Sequence, residues 1–545
     1  MRRILVIGGY GGFGARLSAR LAEAGHCVLV GGRSLEKAGA FAASLPSAEA
    51  VVVDRTGDVA EVLARARPDL VIDAAGPFQE SGYSVPEACI GARIPYLDLA
   101  DARGFVTGIG ALDARAKAAG VAVVSGASSL PALSSAVALR LAEGLERVHA
   151  VEMALSASNR ASGGAAVVNA ILSYVGKPLA LRRGGREARG WGWQELRRER
   201  FRLADGGGIG GRLVALADVP DLELLPDLLP GRPAVTFRAG TELGFQMVAL
   251  WLASWPVRWG WVRSLRPAAP LLLRLYALTR PLGGARSAMK VVLKGSAGAQ
   301  AVERSWTLVA ERGEGLHVPT LAAALLAEDI LAGRLAPGAR SAAGLVPLVA
   351  FEPSFAALAI RHEISERALP PPLYERVLGR TFEALPPAVR TLHAVHGDAD
   401  AQGEGTVVRG RSLLARLAGA ILRFPPSGTF PLHVALAERD GKERWTRDFG
   451  GHVFASELSE AGPGRAAERF GPLRFVFALP AGPEGLEMRL ERWTAFGIPL
   501  PRFLAPRIEA REWEDAEGRF RFEVSVAMPL AGEVVRYSGW LRPCT

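Results

Sequence analysis

The sequence predicts an α/β protein: an N-terminal doubly wound parallel sheet, an inserted α+β region, and a separate β-rich antiparallel domain at the C-terminal end. Three observations carry this. The apolar run Ile4–Ile7 leads directly into Gly9-Tyr10-Gly11-Gly12-Phe13-Gly14 and then a helical pattern. Apolar strands and helical segments alternate from there to residue 126. From about residue 430 onward the hydrophobic period becomes two, as in strands with one buried and one solvated face. A chain of 545 residues exceeds a single core, so two or three domains are expected.

Each N-terminal element has its own justification. A buried strand that runs into Gly-x-Gly-x-x-Gly and a helix is the physical recipe for holding a pyrophosphate. Its glycines allow a tight turn and close backbone approach, and the helix offers free N–H groups to an anion. Gly9, Gly11, Gly12, Phe13 and Gly14 are therefore the first candidate cofactor contacts. The helix that follows carries Leu17 and Leu21 one turn apart and stops at Gly25, before the strand Cys27–Val30. This second strand ends in Gly31-Gly32-Arg33-Ser34, with no acid before Glu36. An acid here would serve the ribose hydroxyls of NAD, whereas Arg33 and Ser34 suit a 2′-phosphate. NADP is the expected cofactor, with NAD as the alternative. A third strand, Ala50–Val53, runs into Asp54 and Arg55, and a helix is expected over 58–66. The strand Asp69–Asp73 leads into Ala74-Ala75-Gly76-Pro77-Phe78, at a strand end where a cofactor lies. Strands at Pro95–Asp98 and Val121–Val124, with a helix from Leu112 to Ala119 between them, complete a sheet of about six strands, a Rossmann-type arrangement.

Four motifs in order make the first 350 positions resemble the saccharopine dehydrogenase-like family of NAD(P)-dependent oxidoreductases. They are Gly9-x-Gly-Gly-x-Gly14, Gly76-Pro-Phe-x-x-x-Gly82 with Ala88-Cys89, Tyr96-Leu-Asp98, and Gly126-x-x-Ser129-x-Pro131. The resemblance implies that the second motif lies beside the nicotinamide and that the stretch after the fourth enters a substrate-binding and dimerising domain. One departure stands out. Relatives often read Tyr-x-Asp-x-Thr-Gly-Glu, whereas this chain has Tyr96-Leu-Asp98-Leu-Ala-Asp101-Ala.

Past residue 127 the βαβ rhythm fades. Ser134–Glu143 reads as a helix, His149–Ala157 and Ala234–Arg238 as strands, and the basic, glycine-rich segment 182–212 as loops. His317-Val-Pro319-Thr320 opens a helix through Leu331 that returns to the nucleotide fold near 316–350. Leu243–Val302 contains no Asp or Glu but has eight basic residues, with Trp251, Trp255, Trp259 and Trp261 near its front. Such a segment suits packing within the chain or in a homodimer, peripheral contact with an anionic membrane, or an apolar substrate tunnel.

The expected divisions are 1–126 for nucleotide binding, 127–350 for the substrate and dimerisation domain, a proline-rich linker in 351–382, and a β-rich domain over 383–545. In the last, a short basic helix, Ser412–Arg423, precedes some seven or eight strands curved around a core or pocket. Glu443-Arg-Trp-x-Arg447-x-Phe-Gly-Gly451, Gly497-Ile-Pro-Leu-Pro501 and Tyr537-x-Gly-Trp540 resemble a bacterial domain of unassigned function, DUF4166-like, found fused behind saccharopine dehydrogenase-like modules. Arg444 and Arg447 read as a cross-strand charge ladder or as the lining of an acidic-ligand pocket with Trp445.

Composition narrows the chemistry. The net charge of +10 comes from 65 basic residues of which only six are lysines, a compositional bias rather than a phosphate-binding surface, so no nucleic-acid partner is expected. Cys27, Cys89 and Cys544 are too few for a disulfide framework, and the first apolar run is a short strand rather than a leader. A cytoplasmic protein is expected, with peripheral membrane contact as the variant. His393-x-x-His396-x-Asp398 reads as exposed polar residues, and no metal site is expected. Hydride transfer asks the protein for a positioned nicotinamide, a polarising acid and a dry site. Tyr96, Asp98 and Ser129 at strand ends, and Tyr83 after the Gly-Pro-Phe turn, are the candidate catalytic groups. The function expected is NADP-dependent oxidation or reduction of a C=O, C=N or activated C=C bond in an apolar small molecule. The alternative is an NADP-binding sensor or scaffold without turnover.

Overall fold

A computed structural model of the protein describes residues 1–160, 164–298 and 300–544. The N-terminal sheet takes its elements in the predicted alternation. They are β1 (Arg3–Ile7), α1 (Gly12–Glu23), β2 (Cys27–Gly32), α2 (Leu35–Ala42), β3 (Ala48–Val52), α3 (Val59–Ala66), β4 (Leu70–Asp73), α4 (Ser84–Ala92), β5 (Tyr96–Asp98) and β6 (Ala122–Ser125). Apart from the edge strand β3, which is partly exposed, these strands are short, mostly apolar and buried on both faces because helices cover both sides. The sheet has seven parallel strands, not about six: Gly338–Ser341 joins beyond β6, giving the order Gly338–Ser341, β6, β5, β4, β1, β2, β3. The order reverses between β1 and β4, where a ligand crevice forms in open α/β sheets.

The added strand shows how the parts interlock. Helix Val318–Leu331 packs on α1, and its residues share one apolar cluster with β1, β2, β4 and the middle of the chain. The middle region is a second seven-stranded sheet, ordered Arg197–Phe201, Ile209–Leu216, Ala234–Gly240, Arg147–Ser156, Ser287–Ala297, Gln300–Ala310, Ile360–Ala368. Segment 182–212 is not loops. Pro178–Arg183 pairs with Arg186–Trp191 across Gly184 and Gly185, both at positive φ, and Arg197–Phe201 pairs with Ile209–Leu216. Arginines obscured this alternation because they sit on strand faces where acids neutralise them: Arg183 with Glu195, Arg197 with Glu152 and Glu199, Arg212 with Glu242.

The expected linker 351–382 also shrinks. Ile360–Ala368 is an edge strand of the middle sheet, and Leu373, Tyr374, Val377 and Phe382 already belong to the C-terminal core. Only 369–372, with its three prolines, connects the two. The C-terminal sheet is larger than anticipated. Setting aside the two-residue strands 481–482 and 498–499 of its twelve, the other ten form an antiparallel ring, closed where Leu473–Ala478 pairs with Gly485–Ala495. Glu443, Trp445, Arg447 and Phe449 alternate into this barrel, while Arg444 faces solvent. Arg447 donates to Ser456 and lies 3.5 Å from Glu468, so it belongs to an interior polar network rather than a surface ladder. The barrel's cavity, about 70 Å³, has room for a few waters.

Two glycines at the turn of the 178–191 hairpin seat the barrel on the middle region. A Cβ at Gly184 would lie 2.2 Å from Ala435 Cβ, and one at Gly185 would lie 2.0 Å from the Asp400 carboxylate. Around them Lys294 pairs with Glu438 at 2.8 Å and Arg439 pairs with Glu152. His393 is not exposed. It is fully buried, packed at a tilt against the Tyr374 ring and bonded to Glu512 at 2.6 Å, and Asp398 faces Arg439. Among the described residues no cluster of three metal-ligating side chains is found.

Candidate functional site

The glycine turn sits at the sheet's reversal point. Gly8, just before the motif, takes φ +76°, and the turn closes as Gly9 N–H donates to Gly31 O and Gly11 N–H to Gly8 O. A Cβ at Gly14 would stand 2.1 Å from Gly8 O, and one at Gly9 would stand 2.8 Å from Val6 O, so both positions require glycine. The N-cap of α1 is Gly11, which offers no side chain, and the first turn contains no acid. The earliest α1 N–H to reach a backbone acceptor is that of Ala15. The N–H groups before it, together with the helix dipole, form an anion cradle that no side-chain cap fills among the described residues. The residues fit a dinucleotide pyrophosphate on that ground.

Next to the turn, Arg33 is exposed at the end of β2, and its charge helps hold Asp54 below the usual carboxylate range, after the hydrogen bonds from Thr56. Ser34 turns out to be the N-cap of α2: its hydroxyl accepts from Lys37 N–H, and its own N–H donates to Tyr10 Oη. Tyr10 was passed over as a variable position of the motif. Its ring lies so close to β2 that a Cβ at Gly32 would come within 2.2 Å of it. No periodicity marks such a contact, because Tyr10 reaches across to another strand.

Arg55 is tied to the end of β4 and the loop after it. Its guanidinium lies 3.1 Å from Asp73 Oδ2, donates to Ala75 O and Ser81 Oγ, and covers the Phe78 ring at 4.7 Å. Phe78 is buried against Phe105. Both therefore brace the 74–81 loop, of which Phe78 is a buried part. Ala74, Ala75, Gly76 and Pro77 remain accessible, and Ala75 abuts Gly8 at the crevice.

The strand-end carboxylates repeat one device. Asp73 Oδ1 accepts from Ala75 N–H and Asp98 Oδ1 from Ala100 N–H, on adjacent strands in register. Asp98 Oδ1 also accepts from Gly126 N–H and Ser125 Oγ, tying the loop after β6 to β5. Asp98 is completely buried, and burial pushes its pKa up to about 7 against the pull of those three donors. It is thus a positioning residue out of reach of a substrate, not the proton donor expected. Tyr96 is equally buried, in the apolar cluster with Leu5 and Cys89, and burial carries its pKa far upward. Its position at the start of β5, not the end, explains the misreading. Tyr83 is half-buried and its hydroxyl donates to Phe105 O at 2.8 Å. Ser129 sits in the bend after β6, where Gly126, at φ +86°, leaves room for Pro131: a Cβ there would be 2.7 Å from the proline ring. Asp73, which sequence reasoning missed, was signalled by its place at a strand end opposite Asp98.

Fold and crevice together define a Rossmann-like α/β protein with a middle sheet and a closed C-terminal barrel. Residues 385–541 match the family model described as "Domain of unknown function (DUF4166)". No curated protein matches the chain. Among solved structures, the chain is similar to apo saccharopine dehydrogenase (L-Glu forming) from Saccharomyces cerevisiae. They share 13% identity over 67% of this chain and 100% of that one, with a TM-score of 0.47. It is also similar to amine dehydrogenase from Mycobacterium smegmatis, at 14% identity over 62% and 94% of the two chains and a TM-score of 0.33. Sorbitol-6-phosphate 2-dehydrogenase from Erwinia amylovora is 22% identical over 22% of this chain and 69% of that one, with a TM-score of 0.19.

Proposed function

We propose that the protein is an NADP(H)-dependent oxidoreductase that moves hydride to or from a C=O, C=N or activated C=C bond of an apolar small molecule in the cytoplasm. The uncapped N-terminus of α1 behind a turn that admits only glycine carries this reading. Arg33, exposed at the end of β2 where NAD-selective folds place an acid, supports the phosphorylated cofactor. When bound, the nicotinamide supplies the hydride chemistry. The chain's part is to hold the pyrophosphate on the α1 N–H groups and to line the nicotinamide end with Ala74–Pro77. Asp98 and Asp73 keep the loops after β6 and β4 in place. Of the groups singled out for proton transfer, Ser129 and Tyr83 lie nearest solvent, at 7% exposure and half-buried respectively.

The burial of Tyr96 and Asp98 favours a second reading, an NADP-responsive scaffold without turnover. One experiment separates the two. Purified protein is titrated with NADPH and NADH, then offered aldehydes, ketones, imines and enones while absorbance at 340 nm is followed. The oxidoreductase reading expects NADPH to bind more tightly than NADH, Arg33→Ala to weaken NADPH binding about tenfold by loss of a charge-assisted bond, and at least one class of substrate to be turned over. Tight NADPH binding with no oxidation supports the scaffold. No binding of either nucleotide overturns both.

A further inference from the structure

Helices Gly244–Arg258 and Ala269–Thr279 carry apolar residues on their buried and on their exposed faces. Their inner faces meet in one small core, where Met247 and Ala269 pack with Leu172, Val175 and Trp193. Their outer faces, which point away from that core, are also apolar. Phe245, Val248 and Leu252 line the first, Leu271, Leu275 and Leu278 the second, each set at helical spacing and exposed. Leu278 and Trp261 are each 75% exposed. Trp251, Trp255, Trp259 and Trp261 form a chain of ring contacts, with centroids 5.9, 5.4 and 4.8 Å apart, that ends at the surface. Exposed apolar helix faces of this kind mark an interaction site.

Charge identifies the partner. Exposed Arg263, Arg274 and Arg280 edge the patch, and no acid occurs between Leu243 and Val302. Arg280 also lines an open pocket of about 380 Å³ with Arg16, Arg160, Arg312 and His317, where Glu314 is the lone acid. Pairing this face with a second copy in a two-fold dimer would set these arginines against each other with no acid from the segment to meet them. Apolar side chains that end in tryptophans and arginines instead match the boundary between acyl chains and anionic headgroups. We propose that this face docks the protein on an anionic phospholipid surface. Leu271, Leu275 and Leu278 enter the acyl boundary, and the arginines, the pocket around Arg280 included, take headgroup phosphates. Arg266, in the same segment, pairs with Glu80 at 2.6 Å, so docking brings the 74–81 loop of the crevice to the lipid. Among the described residues no helix is long and apolar enough to cross a membrane, and the contact is peripheral.

The proposal does not depend on the cofactor, and its test uses none. The full chain is floated with vesicles of phosphatidylcholine alone and of phosphatidylcholine with phosphatidylglycerol, at low and high salt, and its oligomeric state is read by sedimentation velocity. Flotation with the anionic vesicles, weakening as salt rises, is expected. Leu275→Glu with Leu278→Glu is expected to lower the vesicle-bound fraction roughly tenfold or more, and Arg263→Glu with Arg274→Glu roughly fivefold for each arginine lost. Both pairs are exposed, and unchanged melting curves verify that the variants fold. Parent protein that stays at the bottom with anionic vesicles overturns the proposal. So does equal flotation of the leucine variant. A dimer that the leucine variant splits, without vesicle binding by the parent, assigns the face to a second copy and overturns it as well.

Discussion

Asp98 illustrates how a residue can be legible in type and misread in role. Its place in Tyr96-Leu-Asp98 marked it as chemically important, and the structure puts it under the loop it organises, with Oδ1 taking three donors and Oδ2 none among the described residues. Its ordinary pKa is 3.8 and its folded value is about 7. Between those values the unfolded chain gives up a proton that the folded chain retains. The stabilisation is therefore complete below the ordinary pKa and is lost as pH rises through about 7. Asp221, buried against Ser134, carries the same sign and also reaches about 7. Asp98→Asn keeps the acceptor but not the proton. Its melting temperature is expected to fall less steeply than the parent's from about pH 5 to about pH 8. Parallel profiles in thermal melts across that range would show that Asp98 stays ionised in the fold. Arg55 and Ser34 follow the same lesson: a local motif names the residue, and its partners Asp73 and Lys37 decide its task.

At the scale of elements, the glycine turn and α1 were legible because their requirements are local. Strand, turn and helix are adjacent in sequence, and the steric demand falls on residues six apart. Gly14→Ala tests this. The new methyl group, 2.1 Å from Gly8 O, must push α1 away from the end of β1. NADPH affinity measured by calorimetric titration is expected to fall more than about tenfold, since the N–H cradle loses its aim; affinity within a factor of two of the parent's would remove the turn from the binding site. The hairpin within 178–191 was hidden for the opposite reason. Its arginines read as a solvated loop until Glu195, on another segment, is placed beside Arg183. Helix Leu413–Ile421 combines both cases. Ser412, its N-cap, is visible in the sequence and accepts from Ala415 N–H, but only the structure shows Leu413, Leu417 and Ile421 facing outward.

Across the whole molecule, the barrel rests on the middle region through charge as well as through the two glycines. Glu152 lies among Arg197, Arg238 and Arg439, whose charges hold its pKa at about 2 despite burial. Glu152→Gln removes a carboxylate shared by three guanidiniums, each of which keeps a second acid in Glu199, Glu195 or Asp398, a loss of about 1 kcal/mol for partly exposed pairs. The expected outcome is a second, earlier transition on heating and faster proteolytic cleavage at 369–372, as the barrel loosens from the sheet. A single transition unchanged in temperature would place the docking energy elsewhere, in the packing around Gly184 and Gly185.

By itself the sequence determined the parallel sheet, its glycine turn, the change to antiparallel strands and the existence of a β-rich domain. These rest on periodicity and on the steric needs of neighbouring residues, which a linear reading contains. Tertiary structure decided how many strands each sheet holds, since Gly338–Ser341 joins β6 from more than two hundred residues away and ring closure pairs strands whose registers no local pattern announces. It also decided which candidate residues face the crevice and which are buried behind it. Exposure and partnership belong to the packed chain, because burial of a side chain is set by segments remote in sequence that fold over it.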